Sequence, residues 1–143
     1  MSETLADPVV TPGDIGALGL RLGFFKLIVR DMPAMIDFYS RAFGFVEAGA
    51  RVDLDEVEEA MLTLPGATFT LVLFRWKDGR DIAIGSGHGP VGFLTRNVEA
   101  AFTHLQSCGA KPLRKPFAMG PMRIAFAADP EGHELELIQH VRP

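Results

Sequence analysis

Glu136 lies in the stretch DPEGHELELIQH, where an Asp-Pro-Glu-Gly turn feeds an alternating run and the carboxylate falls between Leu135 and Leu137. A carboxylate in that setting has two uses. Solvated or paired with a cation, it is inert. Held in an apolar concavity, it loses hydration, its pKa rises, and it becomes a candidate general base. Lys26, in the run FFKLIV, is the matching cation, able to neutralise Glu136 or to hold a ligand carboxylate. Of the 4 histidines, His104 is expected on a solvent-facing helix surface and His133 on the helix side of a strand. His88 and His140, together with Glu136, form the one replacement set that could bind a divalent metal. The glycines around His88, in GSGHGP, are not a phosphate loop, because no strand–loop–helix context with a lysine follows.

The elements that position these residues occur twice. LIVRDMPAMIDFYSRAFGF and GFLTRNVEAAFTHLQSCGA both read as strand, cap, helix and glycine stop. Asp31 and Asn97 are the expected N-caps, Gly44 and Gly109 the expected stops, and Pro33 sits in a first turn that tolerates it. Met35, Phe38, Tyr39 and Ala42 give the first helix an apolar face; Val98, Ala101, Phe102 and Leu105 do so for the second. Three strand-like runs follow each helix: 45–52, 57–64 and 68–76, then 110–114, 122–128 and 133–139. The pattern is βαβββ, present twice. The fold class is therefore α+β, since three strands in a row lack the crossover helices of a doubly wound sheet.

Alternation assigns faces. Phe25, Leu27 and Val29 are expected under the first helix, with Phe24, Lys26 and Ile28 opposite. Leu135 and Leu137 are expected under the second helix, which leaves Glu136 facing what the two sheets enclose. Lys115 to Arg123 reads as a packed hairpin or as a methionine-bearing lid containing Met119 and Met122. The acidic run DLDEVEEA reads as a solvated connection. Phe74 and Trp76 are expected in core packing, with a pocket-lining place open to either.

The chain has 143 residues, 48% of them hydrophobic, enough for one packed domain. Its net charge of -4 argues against a nucleic-acid partner, which requires a basic stripe. No apolar run is long enough to span a membrane. With a single cysteine, Cys108, no internal disulfide can form, and a reducing cytoplasm is expected. The expected organisation is an N-terminal arm, 1–22, and one domain, 23–140. Within it, module one covers about 23–76, a linker 77–89, and module two about 90–140.

From about Gly23 to His140 the sequence resembles the vicinal oxygen chelate superfamily, which includes glyoxalase I, bleomycin-resistance proteins and extradiol dioxygenases. VRDMPAMIDFYSRAFGF, VGFLTRNVEAAFTHLQSCGAK and DPEGHELELIQ carry the resemblance. It implies that the two modules form a U-shaped mixed-sheet cup with the helices outside. In metal-binding members, one ligand on the first and one on the last strand of each module point into the cup. Carried over, those positions are Phe24, then Thr70 or Val72, then Pro90, then Glu136. Ile28 stands where the glyoxalase branch has a glutathione-binding arginine. The resemblance thus implies a homodimeric protein binding a small, largely apolar molecule in a cup of Phe24, Lys26, Thr70, Val72, Pro90, Glu136, Met119 and Met122, with no metal at the usual site. Sequestration and metal-independent lyase or isomerase chemistry through Glu136 are both open. The alternatives are a divalent-metal lyase or dioxygenase with relocated ligands, and a dimer with no ligand.

Overall fold

The computed structural model describes Pro12 to Val141, so the first half of the expected arm lies outside the described residues. After a 3-10 turn, Pro12–Leu18, module one runs β1 (Phe24–Ile28), α1 (Met32–Phe43), β2 (Val46–Glu47), β3 (Val52–Asp53), β4 (Val57–Thr63) and β5 (Thr70–Trp76). Module two runs β6 (Val91–Leu94), α2 (Val98–Ser107), β7 (Lys111–Met119), β8 (Met122–Ala128) and β9 (Glu134–His140).

The helices begin where short polar side chains meet apolar periodicity. The Asp31 side chain accepts from the Ala34 N–H, and that of Asn97 accepts from the Ala100 N–H. Gly44, at φ 84°, ends α1 in a conformation that only glycine takes without strain, and its N–H returns to the Ser40 carbonyl. Met35, Phe38, Tyr39 and Ala42 are buried along α1, and Val98, Phe102 and Leu105 along α2.

Each module makes its own sheet, in the orders β1-β5-β4-β2 and β6-β9-β8-β7, with β3 also pairing β4. The outer pairs β1–β5 and β6–β9 are parallel, because a helix carries the chain across; the consecutive strands pair antiparallel. The sheets curve into an open, U-shaped cup with the helices on its outer side. Leu71, Leu73, Ala60 and Leu62 face the helices in module one, as do Ala125, Ala127, Leu135 and Leu137 in module two, and all join one core. The rings of Phe43 and Phe93, from different modules, stack with centroids 3.9 Å apart.

Three strand expectations need correction. The run 45–52 is not one strand: it breaks at Gly49, φ 71°, into β2 and β3, both laid against β4. The run 110–114 extends to Met119, through Pro112 and Pro116. β7 is the outer strand of its sheet, where a missing N–H is tolerated, and its register slips twice. The Lys115–Arg123 segment is therefore the end of a β-hairpin. Phe25 is not under α1. It is 38% exposed, because β1 is an edge strand flanked there by the 82–89 connection.

Candidate functional site

The concave face of module one is set by register. Lys26 lies opposite Val72, Val72 opposite Met61, and Phe74 opposite Glu59. Strand alternation then brings Phe24 and Lys26 from β1, Thr70, Val72 and Phe74 from β5, and Glu59, Met61 and Thr63 from β4 to one surface. They enclose a cavity of about 320 Å³, lined also by Gly23 and Ala48 and reached by every one of these side chains except Phe74. Val72 is buried yet stands apart from the main core, as the floor of a concavity should.

The polar centre of this surface is a pair. The Lys26 ammonium lies 2.5 Å from Glu59 Oε2. That oxygen is shielded from solvent and receives no well-directed hydrogen bond, so the ammonium meets it as an ion. The side chain of Glu59 is 12% exposed and that of Lys26 41%. The ammonium also sits 5.8 Å and 5.3 Å from the ring centroids of Phe24 and Phe74, within cation–π range. Lys26 therefore does not pair with Glu136; β4 supplies the carboxylate. Glu59 belongs to the acidic run that reads in sequence as a solvated connection. The signal for it was present: Ala60 and Leu62 are the apolar phase of β4, so Glu59 shares the opposite phase with Met61 and Thr63.

Glu136 occupies the concave face of the other sheet, between Gly92 and Phe126, half-buried and without an ion-pair or side-chain hydrogen-bond partner among the described residues. Beyond Phe126, the Arg114 guanidinium stacks over Phe117 at 3.6 Å. Met119 and Met122 face each other at the hairpin end, and Met122 also pairs with His140. Pro90, Glu136, Met119 and Met122 line neither this cavity nor a second one beside β1. The second cavity, also about 320 Å³, lies between β1, the 82–89 connection and the start of β9. His88 is there, its ring 6.2 Å from that of Phe25. Trp76 and Phe74 contact edge to face, and the Arg80 guanidinium covers Trp76 at 3.8 Å.

The register settles which β5 residue corresponds to Glu136. Gly92 lies opposite Glu136 as Lys26 lies opposite Val72, and Gly92 and Lys26 hold the same place before their helices. The positions that the resemblance assigns to metal ligands are thus Phe24, Val72, Pro90 and Glu136. Three hydrocarbon side chains and one carboxylate do not fit a divalent cation, which needs several N, O or S donors. Nor are His88, Glu136 and His140 brought together: among the described residues no three His, Cys, Asp or Glu side chains gather closely enough to hold a metal.

A second polar cluster, invisible to sequence reasoning, joins the modules. Asp129 is fully buried and accepts from the Tyr39 hydroxyl at 2.7 Å and from the backbone N–H groups of Glu131 and His133 at 2.9 Å each. Burial first, then the Asp129 charge, push the Tyr39 hydroxyl well above its ordinary pKa. Glu131 receives the N–H of Arg30 at 2.6 Å and of Asp31 at 2.8 Å, placing a negative charge where α1 begins. His133 is on the helix side, as alternation requires, and is buried there.

An open two-sheet cup with its helices outside is the architecture of a βαβββ-repeat protein. The sequence profile of the Glyoxalase/Bleomycin resistance protein/Dioxygenase superfamily matches residues 21–137, and the chain belongs to that superfamily. Maize (Zea mays) glyoxalase I is a structural neighbour, with TM-score 0.75 and 27% identity over 85% of this chain and 45% of that one. The chain thus spans less than half the length of the maize enzyme. A superfamily member from Sphaerobacter thermophilus aligns with TM-score 0.68 and 23% identity, over 85% of this chain and 98% of its own. The trypanothione-dependent glyoxalase I of Leishmania major aligns with TM-score 0.71 and 19% identity, over 84% and 86% of the two chains. No curated protein sequence matches the chain. Among the described residues, no helix is long and apolar enough to cross a membrane.

Proposed function

We propose that the chain binds a small, largely apolar, uncharged organic molecule in the concave cavity of module one, without a metal at the superfamily's usual positions. The observation that carries this reading is the Lys26–Glu59 pair set among Phe24, Phe74, Met61 and Val72. The pair is neutral overall. An anionic ligand would compete with Glu59 for the ammonium, and a cationic one would compete with Lys26 for the carboxylate. A neutral ligand with one polar oxygen instead gains a donor from Lys26 while its apolar body covers the exposed Phe24 ring. Sequestration needs no more than this. Lyase or isomerase chemistry adds a base, for which the candidates are Glu59, which lines this cavity, and Glu136 on the other sheet, which lies outside it and has no side-chain partner among the described residues. We place the working protein in a reducing compartment, as a homodimer whose partner covers sheet edges and the exposed Leu20 and Leu22.

The test uses the neutral apolar fluorophore N-phenyl-1-naphthylamine. Binding at one molecule per chain, weakened by Phe24→Ser, supports the reading; binding that is absent, or unchanged by Phe24→Ser, contradicts it. The likeness to maize glyoxalase I favours a metal-dependent, lactoylglutathione-lyase-like activity as the second reading. Metal-stimulated turnover of methylglyoxal with glutathione decides for it.

A further inference from the structure

The turn Asp129–Gly132 of module two and the corner between β1 and α1 of module one are held together by side chains whose protonation the geometry dictates. His133 Nδ1 lies 2.8 Å from Asp129 Oδ2, and His133 Nε2 lies 2.8 Å from the carbonyl oxygen of Ile28, the last residue of β1. Both partners are acceptors. A neutral imidazole carries one N–H, so one ring nitrogen would turn a lone pair toward an oxygen lone pair. Turning the ring over would set C–H groups against both oxygens. The residue is 8% exposed, which leaves little access for water to mediate. Against Asp129 as a carboxylate, which also accepts from the Tyr39 hydroxyl and two backbone N–H groups, only the imidazolium, with two N–H groups, satisfies both contacts.

We infer that His133 is a proton-operated latch: as imidazolium it ties β1 of module one to the β8–β9 turn of module two, and its deprotonation frees Ile28 and opens the cavity beneath the 82–89 strap. The strap is fastened to the same corner. The Arg30 guanidinium donates to the Ile82 carbonyl at 2.7 Å. Ile84 packs on the turn so closely that a Cβ at Gly132, where φ is 99°, would lie 3.3 Å from its Cδ1. Ile28, His133, Ile82 and Ile84 all line the cavity beside β1. Losing the Nε2 proton therefore acts on one wall of that cavity directly and on its strap through the shared corner.

The ionisable groups around the imidazole are few. Asp129 and Glu131 face it from its own turn, and Tyr39 reaches Asp129 from α1. Lys26 from β1, His88 from the strap and Glu134 from β9 share the cavity wall with it. Burial alone would lower its pKa. The hydrogen bond and charge of Asp129, then the Ile28 carbonyl and Glu131, outweigh burial and hold it above the ordinary histidine value. Because the folded-state pKa is raised, the latch is fully engaged below the unfolded pKa of about 6.5 and is lost as pH rises through the folded-state value.

The experiment is a ring-nitrogen NMR titration of the wild-type chain between about pH 5.5 and 9, with amide exchange followed at Val29 and across 82–89. The expected result is a doubly protonated ring at the acid end, a midpoint above about 6.5, and strap exchange that accelerates with that midpoint after correction for base catalysis. In His133→Gln, which cannot titrate, the pH-linked acceleration should vanish. A neutral single-tautomer ring at the acid end overturns the latch, as does the same pH-linked opening in His133→Gln. Should that variant not fold, the wild-type titration and exchange decide alone.

Discussion

Replacing Lys26 by methionine removes the cation from Glu59 while keeping most of the hydrocarbon stem that passes Phe24 and Phe74. The cost follows from how the pair is buried. Surface ion pairs contribute about 0–1 kcal/mol, whereas stripping the partner from a fully buried charge costs about 3–5 kcal/mol. The Glu59 side chain, at 12% exposure, lies near the buried limit, and that of Lys26, at 41%, nearer the surface one. Lys26→Met should therefore destabilise by about 1–2 kcal/mol, most of it from a shielded carboxylate oxygen left without its counter-charge. Glu59→Gln should cost less, about 0.5–1 kcal/mol, because the freed ammonium can turn to water and stay against the rings. The double variant should recover part of the loss, giving a coupling of about 1 kcal/mol. The assay is urea denaturation of the four proteins at neutral pH, read from midpoints at constant slope. Coupling should survive at about 1 M salt, where screening would erase an exposed pair. Additive single effects, or a Lys26→Met cost below about 0.3 kcal/mol, would refute the burial reasoning.

Tyr39→Phe deletes one of the donors to the fully buried Asp129 and should lower stability by about 1–3 kcal/mol in the same assay; a neutral change would mean that the carboxylate does not depend on the hydroxyl. Glu136→Gln should leave fold and probe affinity intact. Glu136 lies outside the cavity of module one, so an affinity loss above about 1 kcal/mol in the probe titration would contradict that placement. Light scattering at micromolar concentration should return a dimer, and a stable monomer would contradict the proposed assembly.

Local signals made most of the fold legible. Caps at Asp31 and Asn97, glycine stops and amphipathic periodicity lie within single segments, and the module repeats them, so helices and late strands could be placed from the residues alone. The strands at the edges away from β1 and β6 were not legible. β2 and β3 are one edge interrupted by Gly49, and β7 runs through two prolines that would have excluded it from a sheet interior. The site was half legible. Alternation put Phe24 and Lys26 on one face, and the family resemblance added Thr70 and Val72; the structure has the four together. The partner of Lys26 depended on β5 lying between β1 and β4, a register that no short stretch encodes. Its residue was masked by neighbouring acids in a run that looked solvated. The Asp129–His133–Ile28 chain was hidden for a similar reason: alternation aimed His133 inward, but its acceptors lie on a distant strand and a turn.

The central claim, a metal-free cup for a small neutral molecule, is tested most directly by native mass spectrometry of protein purified without chelators and mixed with N-phenyl-1-naphthylamine. One spectrum reports metal, probe and assembly together. The expected spectrum has one probe molecule per chain and no stoichiometric divalent metal. A metal ion retained at one per chain and lost on Glu136→Gln, or a chain that carries no probe, would contradict it.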